Sequence, residues 1–379
     1  MGLEVRVHDD NLASPTTLVD VTDRVSNLMF ETALNGGFKT CTFNISMSIE
    51  EAWGWLSREG KRGYHFYRVT VYDEQILVWE GRIMDIQILV DATVHHIAVT
   101  CLGYWSACAD QFYTSAGNTD WSAGSNHFMH EIVAEMLTEE CPDINSDQTN
   151  LEEADVDLAG IDLSVKEYPQ ARINDLVKLS ASDHSVWFFA IWENRVPYLF
   201  KRTVTDIDWH VWLESFTNLR LTQSVLDLRN SVIPVQGSTL GTAVDNAASL
   251  LLYPRREVKF KLPTSSPSAP LEDAATMYAA EQSLPRQRQG FEISGRVYRV
   301  TAQSGGRLEE VPKYMIRAGE VLRIQDLVPA SAPIALDDVR TFYIMGTKYD
   351  ADRDVITIQP DRRRRTPADV VYENVDITR

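Results

Sequence analysis

The chain has 379 residues, 44% of them hydrophobic and 24% charged, an ordinary globular composition that excludes disorder, collagen and coiled coil. At roughly 100 to 200 residues per domain, the length predicts two to four cores rather than one. Fifty-four acids against 36 bases leave a net charge of −18, which argues against a sequence-blind grip on nucleic acid phosphates by the molecule as a whole.

The first hundred residues read as strands. Cys41, Phe43, Ile45 and Met47 alternate with Thr40, Thr42, Asn44 and Ser46, the period of two that buries one face of a sheet. Asn35-Gly36-Gly37 supplies the positive φ of a tight reversal, so Leu28 to Leu34 is expected to pair with that strand as a hairpin. Ser48 caps a short helix whose Glu50 and Glu51 face its positive end, and this helix is expected to plug a barrel-like sheet. Further strands are predicted at Phe66 to Tyr72, Ile76 to Ile88 and Val94 to Cys101.

From about Asp110 the pattern changes to a Ser/Gly/Asn loop at Thr114 to Asn126, a helix over Phe128 to Leu137 and a long acidic loop. A helix over Arg172 to Ser182 and the strands Val186 to Trp192 and Val196 to Phe200 complete a small α+β unit. Strands resume at Trp209 to Leu213, Leu219 to Leu226 and Ser231 to Gln236. The connector Pro263 to Pro270, a helix over Leu271 to Ser283 and a strand over Gly290 to Ala302 read as an inserted unit. Strands then return at Val321 to Ile324, Thr341 to Tyr349 and Val355 to Ile358.

The fold class predicted is mainly β with α+β inserts: two related β-barrel-like domains plus two smaller α+β domains. The expected boundaries are a first barrel at 1–109, a peripheral α+β domain at 110–205, a second barrel split between 206–262 and 313–365, an inserted domain at 263–312, and a C-terminal arm at 366–379. An internal echo supports two barrels of related design, because Gly81-Arg-Ile-Met-Asp leading into Ile97-Ala-Val-Thr resembles Gly346-Thr-Lys-Tyr-Asp leading into Val355-Ile-Thr-Ile.

No run of about eighteen apolar residues and no basic-then-apolar start is present, so neither a membrane span nor a signal peptide is expected. Cys41, Cys101, Cys108 and Cys141 form no C-x-x-C pair and are expected to be reduced, cytosolic and mostly core. Charge is uneven: Ile83 to Val165 has no Lys or Arg but fifteen Asp and Glu, whereas 255–379 holds 20 bases and 18 acids. The latter stretch contains the run Arg362-Arg363-Arg364-Arg365, read as a solvated arm that docks on an acidic neighbour and the one candidate interface.

Searches for chemistry end without a site. No phosphate-cradling glycine motif is present, and Gly60-Lys61-Arg62-Gly63 lacks the following Ser or Thr. His130-Glu131 has no second histidine at the zinc-protease spacing, leaving only His127 and His130 on one face. Asp155 and Asp157 open like a calcium loop, but Ala159 and Lys166 stand where ligands belong, so with Asp162 they read as a solvated acidic loop. Gly237-Ser238-Thr239-Leu240-Gly241 resembles a nucleophile elbow only with Thr in place of Ser and reads as a loop before a helix. His95 and His96 are adjacent on one strand and point to opposite faces. Nine tryptophans are assigned to cores and interfaces before sugar platforms. No catalytic residue, metal or cofactor is expected.

The order of these parts resembles phage tail-tip or baseplate central hub proteins. The segments that carry the likeness are Val21-Thr-Asp-Arg-Val, Leu34-Asn-Gly-Gly-Phe-Lys-Thr-Cys-Thr-Phe-Asn-Ile, Gly81-Arg-Ile-Met-Asp-Ile and Thr100-Cys-Leu-Gly-Tyr-Trp in the first half. In the second they are Leu228-Arg-Asn-Ser-Val-Ile-Pro-Val-Gln-Gly, Arg317-Ala-Gly-Glu-Val-Leu-Arg-Ile-Gln-Asp-Leu and Arg340-Thr-Phe-Tyr-Ile through Thr357-Ile-Gln-Pro. The resemblance implies a siphophage virion protein, assembled in the host cytoplasm as a homotrimer whose six barrels form a pseudo-sixfold ring. Such a ring joins a sixfold tail tube and distal tail protein to a threefold tip. Its implied neighbours are the tape-measure protein and tail fibres or receptor-binding proteins, with genomic DNA passing through unbound. The acidic balance agrees with a channel that does not hold phosphate, three chains carrying −54. A carbohydrate-binding module and a peptidoglycan hydrolase are the alternatives.

Overall fold

A computed structural model describes residues 2–9, 16–58, 61–90, 95–113, 128–158, 167–179, 183–202, 207–217, 219–220, 223–262, 268–283, 286–287, 290–300, 307–327 and 340–362. The chain opens with β1 (Glu4–His8), β2 (Thr17–Asp20), β3 (Val25–Ala33), β4 (Gly36–Ser46) and helix α1 (Ile49–Leu56). The short pair β5 (Ser57–Arg58) and β6 (Lys61–Arg62) leads to β7 (Arg68–Asp73), β8 (Ile76–Val90) and β9 (His95–Leu102). Alternation in β4 works as the sequence predicts, since Cys41, Phe43 and Ile45 are buried and Thr40, Thr42 and Asn44 are not.

Gly36 and Gly37, at φ 102° and 78°, turn β3 into β4. Ser48 and Glu51 form a reciprocal capping box that starts α1, and the helix sends Ala52 and Trp55 into the barrel core. The pairing order β2-β1-β7-β8-β9-β4-β3 closes on itself, because β2 and β3 are one strand kinked at the 3-10 turn Thr22–Arg24.

The peripheral unit carries α2 (Met129–Glu140), α3 (Pro169–Leu176), β10 (Trp187–Ile191) and β11 (Pro197–Lys201). Met129, Ile132, Val133 and Met136 recur on one face of α2 and pack with Ile173 and Leu176 of α3. β10 pairs in parallel with the start of β4, Ile191 opposite Gly37, where an added Cβ would lie 2.2 Å from the Ile191 carbonyl oxygen. Glycine is therefore required there for the backbones to meet.

The second half begins with β12 (Trp209–Trp212) and β13 (Gln223–Ser224). It continues with β14 (Ser231–Gln236), β15 (Thr239–Leu240), β16 (Val244–Asp245), α4 (Ala247–Leu252), β17 (Glu257–Leu262) and α5 (Ser268–Gln282). Then come β18 (Arg286–Gln287), β19 (Phe291–Ile293), β20 (Val297–Val300), β21 (Leu308–Val311), β22 (Val321–Gln325), β23 (Thr341–Asp350) and β24 (Val355–Arg362). β12-β22-β23-β24-β19 closes through the bridge Phe216↔Ile293, with Phe216 following the 3-10 turn Leu213–Ser215 at the end of β12.

Pairing places the insert differently from the boundaries expected. β14, β15, β16 and β17 form a separate sheet under α5 with Val232, Ala275 and Ala279 in its core, so 231–262 goes with the insert and not with the barrel wall. β19, expected in the insert, pairs with β24, and the hairpin of β20 and β21 extends the wall from β12. The strand expected over Gly290 to Ala302 is broken at Ser294-Gly295, where a Cβ on Gly295 would come within 2.7 Å of Ser215. Polar closure explains the division: the Arg229 N–H donates to the Gln282 carbonyl at 2.8 Å, and buried Asn230 accepts from the Arg256 N–H at 2.7 Å and donates to the Pro254 carbonyl at 3.2 Å. Entry and exit of the insert are thus pinned together, at the tip of the pairing between β13 and β18.

The two barrels share a design. Met84 is an extra residue in β8, between the pairs Ile83↔Cys101 and Asp85↔Thr100, and Met345 is one in β23, between Ile344↔Pro360 and Gly346↔Gln359. Ahead of each bulge the bonding repeats. The Phe66 N–H donates to Ile83 and the Ile83 N–H to Tyr67, at 2.8 and 3.0 Å; the Gly319 N–H donates to Ile344 and the Ile344 N–H to Glu320, at 2.8 and 2.9 Å. Phe66 and Gly319 both hold positive φ, 67° and 97°. Phe43↔Val99 and Val25↔Ile45 correspond to Phe291↔Ile358 and Phe216↔Ile293. The echo read from the sequence is therefore displaced by four residues, because Gly346 stands in the place of Asp85 and not of Gly81. On the following strand, Ile97 corresponds to Ile356 and not to Val355.

Candidate assembly site

The barrels meet where β3 pairs with β23, Ala33 opposite Gly346 through Met29 opposite Asp350, making one 16-stranded sheet of both. Beyond that register the Leu34 N–H donates to the carbonyl of the bulged Met345 at 2.9 Å. Side chains fill the seam: Thr32 Oγ1 and Thr347 Oγ1 are 2.7 Å apart and buried, and the Phe30 and Tyr349 rings lie 5.3 Å apart. Thr32 Oγ1 also accepts the Ala318 N–H at 3.1 Å. Arg317 reaches across to donate to the Leu77 carbonyl at 3.3 Å, pairs with Glu193 and covers the Phe38 and Trp192 rings. Cross-strand pairing, hydroxyl contacts and a partly buried cation thus all act on one seam.

Buried charges fix the outer units. Glu80 takes Arg68 at 2.6 Å and the Arg195 N–H at 2.6 Å, and Arg195 covers the Tyr104 ring, tying the peripheral turn to the first barrel. Burial pushes the Glu80 carboxyl above its ordinary range, against the pull of Arg68. His8 Nε2 lies 2.7 Å from Thr70 Oγ1, and burial, with Arg68 next, lowers its pKa to about 4. In the second barrel Glu320 accepts the Trp209 Nε1–H at 2.6 Å and pairs with Arg299 at 3.1 Å, its carboxyl also raised by burial. Arg202 joins three units, pairing with Glu281 of α5 at 3.1 Å and Asp361 of β24 at 3.5 Å over the Tyr343 ring.

Of the four-arginine run, Arg362 ends β24 opposite Phe342, while Arg363, Arg364 and Arg365 lie outside the described residues. His130 Nδ1 accepts the Ala154 N–H at 3.1 Å, a structural role; His127 and Asp162 fall outside the described residues. Gly237 turns the hairpin of β14 and β15 at φ 59°, so the segment expected to precede a helix is a strand reversal. Among the described residues no three His, Cys, Asp or Glu side chains gather closely enough to hold a metal, and no helix is long and apolar enough to cross a membrane. All four cysteines are buried. Trp79, Trp187, Trp192, Trp209 and Trp55 are buried as well, and Trp53 is 60% exposed. A crevice of about 880 Å³ runs between the barrels, but its Asp354 is already taken by Lys313 at 2.6 Å and the Tyr349 hydroxyl at 2.9 Å. Sequence reasoning missed the seam itself, because the bulges at Met84 and Met345 that mark the shared frame are defined by the opposite strand.

No protein-family model matches the sequence, and no curated protein sequence does. The fold is that of phage tail proteins of known structure. The tail protein from Neisseria meningitidis MC58 matches with a TM-score of 0.60 at 9% identity, over 96% of this chain and 97% of that one. The 43 kDa tail protein of prophage MuSo2 from Shewanella oneidensis matches at 0.55 and 11% identity, over 96% and 99%. Prophage tail protein gp18 from Listeria monocytogenes EGD-e matches at 0.50 and 10%, over 100% and 99%.

Proposed function

We propose that this chain is a structural component of a phage tail tip, a hub that assembles as a trimeric ring. One observation carries the reading: each chain contains two closed barrels of the same design, joined side by side by strand pairing. Three such chains present six barrel walls about a threefold axis, the number needed to join a sixfold tube to a threefold tip. The likeness of nearly the whole chain to tail proteins supports this reading, as does the use of the buried charges Arg68, Glu80 and Arg195 to tie the peripheral unit to the first barrel. The lumen would be a channel for genomic DNA, and a chain of net charge −18 suits one that must release phosphate rather than hold it. The partners that follow are the distal tail protein ring, the tape-measure protein and tail fibres, in the virion. On this reading Arg363, Arg364 and Arg365, which follow Arg362 at the end of β24, begin an arm that docks on an acidic neighbour.

Mass photometry and negative-stain electron microscopy test the proposal. Rings of three times 42.9 kDa are expected. Chains that stay single at high concentration, and with the distal tail protein added, would overturn it. Deleting residues from Arg363 onward is expected to weaken assembly while leaving the circular dichroism spectrum unchanged.

A further inference from the structure

The four cysteines come together as two pairs that differ in access. Cys41 and Cys101 lie opposite each other across β4 and β9, inside the closed core of the first barrel. Cys108 and Cys141 meet where the peripheral unit joins that barrel. Cys108 stands in the 3-10 turn Tyr104–Ala109 that follows β9, and Cys141 is the residue that ends α2. Their side chains hydrogen-bond, and both belong to the core built by α2 and α3.

One cation holds the two backbones together. Arg82 of β8, 2% exposed, pairs through Nη1 with Asp110, two residues after Cys108, and with Asp143, two residues after Cys141, the latter at 3.6 Å. Its Nε donates to Ser106 Oγ at 3.2 Å, and Ser106 Oγ donates to the Gly103 carbonyl at 2.8 Å, which fixes the turn that carries Cys108. On the other side the Ile144 N–H donates to the Cys141 carbonyl at 2.9 Å. Two thiols in contact on anchored backbone can be bridged without either chain having to travel. The Cys141 contact and burial hold the Cys108 thiol well above its ordinary range, against the pull of Arg82, so Cys108 is not the sulfur that starts an exchange. A cavity of about 570 Å³ bordered by Thr138, Cys141, Ile144, Asn145 and Gln148 gives a small reagent its way to the other sulfur.

We infer that Cys108 and Cys141 are a latent disulfide, which closes on oxidation and staples the peripheral unit to the first barrel. The oxidant is a low-molecular-weight disulfide. The Cys141 sulfur attacks one of its sulfurs and expels the first thiol, and the Cys108 sulfur then displaces the second thiol from Cys141. One Sγ–Sγ bond forms and the reagent's S–S bond breaks; both cysteine protons leave on the two released thiols, and the protein gives up two electrons to the reagent. The bond closes a loop of about 33 residues, a constraint on the unfolded chain. The staple does not depend on the ring; the tail reading supplies only its occasion, because a tail assembled in a reducing cytosol and then released meets oxidising surroundings.

Peptide mapping of the unaltered full-length protein tests it. Protein prepared reduced, incubated folded with oxidised glutathione, then denatured, alkylated and digested without reduction is expected to give one linked peptide pair, Cys108 with Cys141. Before alkylation its intact mass should be lower by about 2 Da, and Cys41 and Cys101 should both be recovered alkylated. The oxidised form should melt higher by about 5 °C, a rise that Cys108→Ala abolishes. If Cys108→Ala fails to fold, the map of the unaltered protein decides alone. A lasting glutathione adduct on Cys141, a link between Cys41 and Cys101 in place of the expected one, or four free thiols after oxidation would overturn the inference.

Discussion

The two barrels solve the same closure problem with different material. The first places β1 between β2 and β7, antiparallel to both, and is filled by a separate helix whose Trp55 packs against Tyr64. Among the described residues the second has no such strand; β12 pairs directly and in parallel with β22, and its own wall supplies Trp209 to the core. Since β2 and β7 are also parallel through β1, the direction of every shared strand is preserved while strand number changes. The difference teaches that the common frame is the kinked strand, the bulge and the positive-φ residue ahead of it, with strands and plugs as local variation.

The comparison is most severely tested at the fillings. Trp209→Ala should destabilise the second barrel by about 3–5 kcal/mol, since it opens a cavity and removes a donor from buried Glu320. Trp55→Ala should cost less than Trp209→Ala, because it empties a plug and not a wall. Urea unfolding monitored by tryptophan fluorescence checks both, and equal losses would remove the distinction. Next comes the shared backbone constraint. Gly319→Ala should cost about 1–2 kcal/mol from its positive φ alone, since an added Cβ meets nothing closer than 3.4 Å. Phe66→Gly should change stability little, because relief of the same strain offsets the loss of the ring over Arg82. A thermal melt in which Gly319→Ala costs nothing would mean that the two positions are not held alike.

The seam between the barrels gives a smaller effect. Thr347→Val keeps shape but removes the hydroxyl beside Thr32, and should cost roughly 1 kcal/mol by chemical denaturation. The smallest expected signal is in pH. His8 has its folded pKa lowered from 6.5 to about 4, so its contribution is complete above pH 6.5 and fades as pH falls toward 4. The buried carboxyls run the other way, since Glu80 and Glu320 have folded pKa values above 4.5 and their contribution is lost as pH rises past that value. His8→Asn should therefore flatten the acid side of the stability profile between pH 6.5 and 4, read from urea midpoints. An unchanged slope would remove His8 as its cause.

Much of the wall was legible from alternation. The strand at Thr40 to Met47, the Gly36-Gly37 reversal and the Ser48 cap are local signals whose physics acts within a few residues. What escaped depends on distant partners. A strand pattern at Ser231 to Gln236 fits a barrel wall and a small separate sheet equally well, and only the Arg229–Gln282 and Asn230 hydrogen bonds decide between them. The repeat was sensed but misaligned, because matching glycines were followed while the true landmarks, Met84 and Met345, are bulges defined by the opposite strand. Met84 and Met345 carry no side-chain chemistry that announces such a role.

The pinned neck of the insert has a consequence for descent. With Arg229 and Gln282 hydrogen-bonded at its base, the segment between them is a cassette hung from a hairpin tip that the first barrel spans with two residues, Leu34 and Asn35. Change in this ornament should therefore be freest on the side turned away from the barrels, because α5 keeps Leu271 and Ala274 in the peripheral core, Met277 against Leu34 and Tyr343, and Glu281 on Arg202.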